Sequence, residues 1–124
     1  MAVFFLVAIH KGQADVVVTV TPHKVLSDID KMSEQTGYST STLNRIIWCE
    51  SSGKENAVHK NNNGTTDLGI FQVNSIHIPE AQSMGLDLTT RAGNLAFAVT
   101  LIKKNGLRDW EFSRHCWSYP QLQK

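Results

Sequence analysis

Residues 50–75 read ESSGKENAVHKNNNGTTDLGIFQVNS, and helical spacing gives way to extended spacing along this stretch. The polar run Asn61-Asn62-Asn63-Gly64 separates Ala57–Lys60 from Thr65–Asp67, an arrangement typical of a β-hairpin. Gly69 then interrupts the chain, and we predict a third short strand over Ile70–Val73. The stretch therefore predicts one small antiparallel sheet.

The helix that precedes this stretch carries an acidic residue on its apolar face. Ser39–Ser41 offer N-caps, and Leu43, Ile46 and Ile47 repeat at helical spacing. Glu50 continues that stripe, because it lies four residues after Ile46 and three after Ile47. Burial and the negative end of the helix dipole would both raise the pKa of this carboxyl, as a general acid near neutral pH requires. The alternative is a helix-end glutamate that turns into solvent.

The rest of the chain predicts further helices. A first helix carries Val25, Leu26, Ile29 and Met32 and ends at Gly37, and the second helix ends at Gly53. A short helix lies between Pro79 and Gly85, and a longer one begins at Asp87 or Thr89, ends at Asn105-Gly106 and has Ala92, Leu95, Ala98, Val99 and Ile102 on one face. The last predicted helix spans Asp109–His115. The predicted fold class is α+β, mostly helical, with the small antiparallel sheet beside a cleft.

A second carboxylate, Asp67, follows the predicted hairpin turn. A strand opposite a helix end can hold it across a sugar-sized gap from Glu50, which is the arrangement that glycosidases use. Gln72 and Asn74, two residues apart on one predicted strand face, could then hydrogen-bond a sugar. Alternatively, Asp67 bonds its own backbone, and Gln72 and Asn74 form a solvated face. A calcium loop is excluded, because the acidic residues needed at its start and end are missing.

Composition and charge exclude several classes of function. A chain of 124 residues predicts one domain, and a formal net charge of +1 argues against a nucleic-acid binder, which would carry a basic patch. The five histidines are scattered and no Cys-x-x-Cys motif occurs. We therefore predict no metal site and no cofactor.

The N-terminus predicts export. Ala2–Ile9 carries no charge and precedes small residues, so residues 1–14 are a candidate signal peptide or partial export segment, with a single domain over residues 15–124. The apolar run is shorter than the roughly 20 residues that a membrane-spanning helix needs, and we expect no stable membrane insertion. A misassigned start or a first strand through Val16–Val18 is the alternative.

The two cysteines, Cys49 and Cys116, predict a disulfide. A bridge closing a loop of about 67 residues would contribute about 3–5 kcal/mol in the chain-entropy model, a useful amount for a small secreted domain. Two buried free thiols in a cytosolic protein are the alternative.

The motifs of this chain resemble those of a known superfamily. Glu50-Ser51, Gly64–Asp67 and Gly69–Ser75 together look like the active-site stretch of the lysozyme superfamily, and residues 110–117 are similar to its C-terminal part. The likeness extends to animal c-type lysozymes and to bacterial lytic transglycosylases of the soluble (SLT) type. It covers roughly residues 40–117 and implies a lysozyme-like domain that acts on bacterial peptidoglycan.

The resemblance implies a role for each matching residue. Glu50 would protonate the glycosidic oxygen, and Asp67 would be the second carboxylate of the site. The other implied roles are substrate binding by Gln72, Asn74, Trp110, Phe71 and His77; structural support beside the site by Ser51 and Gly69; and a disulfide from Cys49 to Cys116 that ties the catalytic helix to the C-terminal segment.

The chain also departs from the c-type lysozymes. It has two cysteines where the animal enzymes carry several disulfides, and Ile76, His77 and Ile78 stand where those enzymes have an aromatic pair. SLT-type enzymes work with one glutamate, because the substrate's acetamido group replaces a nucleophile and gives a 1,6-anhydro product. We therefore favour a lytic transglycosylase that cleaves the β-1,4 bond between N-acetylmuramic acid and N-acetylglucosamine. A hydrolytic muramidase using both carboxylates, or a non-catalytic glycan-binding or secretion-accessory module, is the alternative.

The same resemblance implies where the protein works and on what. We expect a secreted, periplasmic or cell-wall-associated monomer that acts on peptidoglycan glycan strands. No nucleic-acid partner is expected. Some small relatives of the SLT type are attached to a secretion or conjugation apparatus, which is a further expectation for this chain.

Overall fold

The computed structural model describes residues 26–118. In chain order the elements are helices α1 (Asp28–Thr36) and α2 (Thr40–Ser51), strands β1 (Val58–Lys60), β2 (Thr66–Leu68) and β3 (Val73–Asn74), the 3₁₀ helix η1 (Ser75–His77), helices α3 (Ile78–Ser83) and α4 (Arg91–Asn105), the 3₁₀ helix η2 (Arg108–Ser113) and helix α5 (Arg114–Trp117). The mostly helical α+β fold class is confirmed. The export segment predicted over residues 1–14, the alternative strand at Val16–Val18 and Val25 of the first predicted helix lie outside the described residues.

The first two helices begin and end at short polar residues and glycine. Ser27 closes a capping box at the start of α1, and Ser39 caps α2. Gly37 ends α1 in the left-handed conformation, as predicted, with a φ of 79°. Ser52 rather than Gly53 ends α2, with a φ of 54°. Gly53 has a φ of 77°, so the left-handed turn begins one residue earlier than predicted.

The predicted hairpin is confirmed, with β2 at the centre of a three-stranded antiparallel sheet. The register pairs Asp67 with His59 on one side and with Asn74 on the other. Asp67 therefore lies in the middle of the central strand. Its neighbours on β3 and in the hairpin turn can reach its carboxylate.

The third strand begins three residues later than predicted. Residues 69–72 form a turn instead, because Gly69 and Gln72 adopt left-handed φ values of 72° and 51° that a strand cannot include. The Gln72 N–H donates to the Gly69 carbonyl at 3.1 Å and closes this turn. Gln72 and Asn74 therefore do not share a strand face, and that part of the prediction is wrong.

Asn94 of α4 holds this turn against the core. Its Oδ1 accepts the Phe71 N–H at 2.9 Å, and its Nδ2 donates to the carbonyls of Leu68 and Leu88 at 2.8 Å each. The side chain is 0% exposed, and these three bonds satisfy it. A Cβ at Gly69 would lie 2.5 Å from Asn94 Nδ2, so only glycine fits at that position.

α4 is the most deeply buried helix of residues 26–118 and packs against α1 and η2. Leu95, Ala98 and Ile102 of its predicted apolar face are buried, whereas Ala92 is exposed. Phe97 and Leu101 are buried as well, among other residues. The buried surface is thus wider than the single stripe that the sequence predicted.

The cap of α4 also differs from the prediction. Thr90, not Asp87 or Thr89, is the N-cap, because its hydroxyl accepts the Gly93 N–H at 3.0 Å. Asp87 accepts the Thr89 N–H at 2.8 Å and so closes the preceding turn. α4 ends at Gly106, as predicted.

The C-terminal segment is tied to α2. Cys49 and Cys116 form a disulfide that joins α2 to α5 across a sequence separation of 67 residues. The helix predicted over Asp109–His115 is divided between η2 and α5, both of which contact α2. Among the described residues, no helix has the length and apolar character needed to cross a membrane.

Candidate active site

A cleft of about 500 Å³ lies between the end of α2, the sheet and η2. The sequence predicted six of its lining residues as site residues: Glu50, Asp67, Gln72, Asn74, His77 and Trp110. Asn61, Ile76, Asp109, Phe112 and Ser113 line the same cleft, together with the apolar Val73 and Leu101. The predicted carboxylates therefore share one cavity, and the polar groups around them come from the hairpin turn, the turn before β3, β3, η1 and η2.

Glu50 occupies the last turn of α2 and is partly buried. Loss of solvent through burial raises the pKa of this carboxyl above its ordinary value of 4.5. The Ser113 hydroxyl donates to Glu50 Oε1 and acts in the opposite direction, while the negative charge of Asp67 raises the pKa further. The net effect favours the protonated form, as a general acid requires.

Asp67 is held by amide groups on both of its oxygens. Asn61 Nδ2 donates to Oδ2 at 3.1 Å, and Asn74 Nδ2 donates to Oδ1 at 2.8 Å. Both amides also donate to Thr65 Oγ1, at 3.1 and 3.0 Å. The carboxylate therefore has a fixed orientation in a polar surrounding, unlike Glu50.

The two predicted sugar-binding amides are largely committed to the protein. Asn74 uses its amide hydrogens as described above, and its Oδ1 accepts the Ile76 N–H at 3.1 Å. Gln72 Nε2 donates to the carbonyls of Ala57 and Gly69 at 3.1 and 2.9 Å. The Gln72 amide oxygen is thus the group of that side chain with capacity left for a ligand.

Phe71 lies in the core, not on the cleft surface, because its side chain is 0% exposed. The prediction of direct substrate binding by Phe71 is therefore wrong, and its structural role is to support Trp110. The Trp110 Nε1–H donates to the Phe71 carbonyl at 2.8 Å, and the two rings meet edge to face at 5.5 Å between centroids. Trp110 is itself buried and presents only part of its ring to the cleft.

Three other predicted residues occupy distinct environments. Ser51 is buried, and its hydroxyl lies 2.8 Å from the Ile70 carbonyl oxygen, so it connects the end of α2 to the turn before β3. Gly69 supports the same turn, as described above. His77 lies on the cleft wall and packs on Phe97, with ring centroids 5.4 Å apart.

The sequence assigned no role to Asn61, Phe112 or Ser113. The hairpin pattern could have identified Asn61, because the turn carries it back towards Asp67. Ser113 meets Glu50 across 63 residues of sequence, and no local pattern signals that contact. Phe112 is 97% exposed beside the cleft, which only the structure reveals.

The absence of a metal site and of a cofactor stays a prediction from the sequence. Residues 26–118 contain no group of three or more histidine, cysteine or acidic residues arranged to hold a metal ion.

Comparison with known proteins supports the reading of the fold. Residues 27–106 match the family model described as the transglycosylase SLT domain, a range that includes Glu50 and Asp67 and ends before η2. The protein IpgF of Shigella flexneri is 38% identical over 65 residues, which cover 52% of this chain and 43% of IpgF. The match thus spans less than half the length of that relative. The chain belongs to the transglycosylase SLT domain family, within the lysozyme-like superfamily.

Proposed function

We propose that this domain cleaves the β-1,4 glycosidic bond between N-acetylmuramic acid and N-acetylglucosamine in peptidoglycan by lytic transglycosylation. Membership of the SLT family supports peptidoglycan as the substrate class. The observation that carries the proposal is Glu50, a desolvated carboxyl with a raised pKa at the floor of a sugar-sized cleft. A protonated carboxyl in that position can donate to a glycosidic oxygen.

In the first step, Glu50 acts as a general acid. Its proton passes to the glycosidic oxygen as the bond from that oxygen to C1 of N-acetylmuramic acid breaks, and the N-acetylglucosamine side leaves as an alcohol. Positive charge develops at C1, and the carbonyl oxygen of the substrate's own acetamido group adds to it. Glu50 is left as a carboxylate.

In the second step, Glu50 acts as a general base. It removes the proton of the C6 hydroxyl of the same muramic acid, and that oxygen attacks C1 and displaces the acetamido oxygen. The product carries a 1,6-anhydro bridge, and Glu50 is protonated again for the next cycle. One carboxyl whose pKa is raised by burial can perform both steps, because it can hold the proton before the reaction and take it back afterwards.

Asp67 acts electrostatically in this proposal. Its carboxylate, oriented by Asn61 and Asn74, stabilises the positive charge that develops at the sugar. Its negative charge also helps to keep the proton on Glu50 before the reaction. No covalent bond to Asp67 is required.

A hydrolytic muramidase is the second candidate, and the position of Asp67 in the same cleft favours it. In that mechanism Asp67 would attack C1 or stabilise the cation, and Glu50 would then activate a water molecule. The two candidates use the same acid. They differ in the group that completes the bond at C1, and therefore in the product.

The substrate-binding groups proposed are Gln72 through its amide oxygen, together with Asn74, His77 and Trp110 of the cleft wall. We further propose that the protein works outside the cytoplasm, secreted, periplasmic or cell-wall-associated, because its substrate class is found there. A position beside a secretion or conjugation apparatus, like the monomeric state, remains a prediction from the resemblance.

Mass spectrometry of purified peptidoglycan digested with the protein tests this proposal, with Glu50→Gln as the paired variant. Muropeptides that end in 1,6-anhydro-N-acetylmuramic acid are expected from the wild type, and at most a trace of them from Glu50→Gln. Reducing ends that carry an added water would instead identify a hydrolase. Equal digestion by the variant would overturn the role of Glu50, and no product from the wild type would favour a non-catalytic glycan-binding module.

A further inference from the structure

Ser113, at the end of η2, has two hydrogen-bond partners for one hydroxyl group. Its Oγ lies within hydrogen-bond distance of Glu50 Oε1 and 3.1 Å from the Trp110 carbonyl oxygen. That carbonyl also accepts the Trp117 Nε1–H at 3.0 Å. The hydroxyl thus stands between a titratable group on α2 and a fixed acceptor on its own helix.

A serine hydroxyl has one hydrogen to donate and two lone pairs that accept. When Glu50 is ionised, the hydroxyl can donate to the carboxylate, while the Trp110 carbonyl keeps its bond from Trp117. When Glu50 is protonated and has not yet given its proton to a glycosidic oxygen, its O–H can donate to Ser113 Oγ, and the hydroxyl hydrogen can rotate to the Trp110 carbonyl. Each polar group therefore has a partner in both protonation states of the carboxyl.

We propose that Ser113 is the positioning residue of Glu50, and that it holds the carboxyl in both protonation states by reversing the direction of one hydrogen bond. This inference rests on the proposed function, in which Glu50 alternates between acid and base. A carboxyl that kept a partner in only one state would be free to rotate in the other. Ser113 removes that freedom through its bond to Glu50 Oε1, before the proton passes to the substrate.

The disulfide and partial burial both help to keep Ser113 in contact with Glu50. Cys49 precedes Glu50 directly, and Cys116 follows Ser113 by three residues, so the disulfide joins the same two segments as the hydrogen bond. The contact is partly buried, which limits competition from water. Ser113 lies beyond residue 106, where the match to the family ends, so the contact comes from a part of the chain that the match does not cover.

The direction of the expected pH effect follows from the charges around Glu50. A hydrogen bond to the ionised form is the stronger of the two, so Ser113 lowers the pKa of Glu50 against the larger effect of burial. The other titratable groups that line the cleft are Asp67 from β2, His77 from η1 and Asp109 from η2. They remain in place when Ser113 is replaced, so the change in the pKa reports the hydroxyl.

The test compares Ser113→Ala with Ser113→Thr, which restores a hydroxyl, and with Ser83→Ala as a control. Ser83 is exposed on α3, and its hydroxyl bonds only the Glu80 carbonyl among the residues described. The titration of the Glu50 carboxyl is followed by ¹³C NMR, which requires no catalysis, and muropeptide release is measured as a function of pH.

In Ser113→Ala, we expect the Glu50 midpoint and the alkaline limb of the rate profile to move to higher pH. The plateau rate should fall about tenfold, the size expected for the loss of one hydrogen bond. Ser113→Thr should restore both midpoints, and Ser83→Ala should match the wild type. An unchanged Glu50 midpoint in Ser113→Ala would overturn the proposal, as would an alanine midpoint that threonine does not restore. A shifted midpoint in a protein that releases no muropeptides would leave the positioning role in place and remove the proposed function instead.

Discussion

The two walls of the cleft hold the same functional group in opposite surroundings. On the helical wall, Glu50 is desolvated beside the buried Trp110 and has one hydroxyl partner, Ser113. On the sheet wall, Asp67 accepts a hydrogen bond from an amide on each oxygen. A disulfide joins the two segments of the helical wall, whereas hydrogen bonds among side-chain amides and Thr65 hold the sheet wall.

This difference teaches how one fold can separate the roles of two carboxyls. Burial penalises the charged form of the Glu50 carboxyl, whereas two amide donors fix the orientation of the Asp67 carboxyl. The helical wall therefore suits a group that gives and takes a proton, and the sheet wall suits a group that stays in one orientation. The two carboxyls also interact, because the charge of Asp67 contributes to the raised pKa of Glu50.

The largest expected effects come from replacing the carboxyl group on each wall, in turn, by an amide. Glu50→Gln should reduce the rate of muropeptide release by roughly 10²–10⁴-fold, because the amide cannot donate the proton. Asp67→Asn should reduce it less, by roughly 10-fold to 10²-fold, because Asp67 stabilises the developing positive charge but neither gives nor takes a proton. Initial rates on the same peptidoglycan preparation measure both. Losses of equal size would break the comparison and favour the hydrolytic mechanism.

A second expected effect concerns stability as a function of pH. The pKa of Glu50 is raised in the folded protein, so its contribution is fully present below the ordinary value of 4.5 and is lost as pH rises through the raised value. Glu50→Gln has no such loss, and its melting temperature should exceed that of the wild type by a few degrees at neutral pH, with a smaller difference near pH 4.

Thermal melts across that pH range check this expectation, with Glu34→Gln on α1 as the control, since Glu34 is an exposed glutamate. If the difference between Glu50→Gln and the wild type did not grow with pH, the helical wall would not be desolvating its carboxyl. The contrast between the two walls would then lose its physical basis.

The smallest expected effect concerns the exposed rim of the helical wall. Phe112 is 97% exposed and lines the cleft, whereas Trp48 is 68% exposed and does not. Phe112→Ala should raise KM for glycan strands roughly threefold to tenfold, the effect of losing part of one apolar contact, with little change in melting temperature. Trp48→Ala, the matched control, should leave KM unchanged. Equal KM values for both variants would remove Phe112 from the substrate surface.

The helices and the position of Glu50 on the apolar face of α2 were predictable because their signals are local. Ser39 and Gly37 act as caps within a few residues of the elements that they bound, and Glu50 belongs to a stripe whose other members are its neighbours on one helix. The hairpin has the same property, since the five-residue polar turn over residues 61–65 separates its strands. Local chemistry is sufficient for these features, because the interactions that form them span one or two turns.

The parts that were predicted wrongly depend on distant partners. The turn over residues 69–72 reads as a strand by composition, yet Asn94, 23 residues after Phe71, binds the backbone at Phe71 and holds the turn in place. Phe71 was predicted to bind substrate, and it is buried in the hydrophobic core, where the Trp110 ring from the C-terminal segment meets it edge to face. The Ser113–Glu50 contact spans 63 residues. Each of these features requires the tertiary structure, which a single sequence does not list.

The disulfide has a mechanical consequence for the cleft. All of the residues that line it, from Glu50 to Ser113, lie inside the loop closed by Cys49 and Cys116. Tension applied to the chain on either side of that loop would pass through the disulfide bond, and the residues that line the cleft would carry none of the force. Breaking the bond would add roughly 215–235 Å of extensible chain for the 67-residue separation, at about 3.3–3.6 Å per residue. A single backbone cut within the loop would likewise leave both fragments covalently joined.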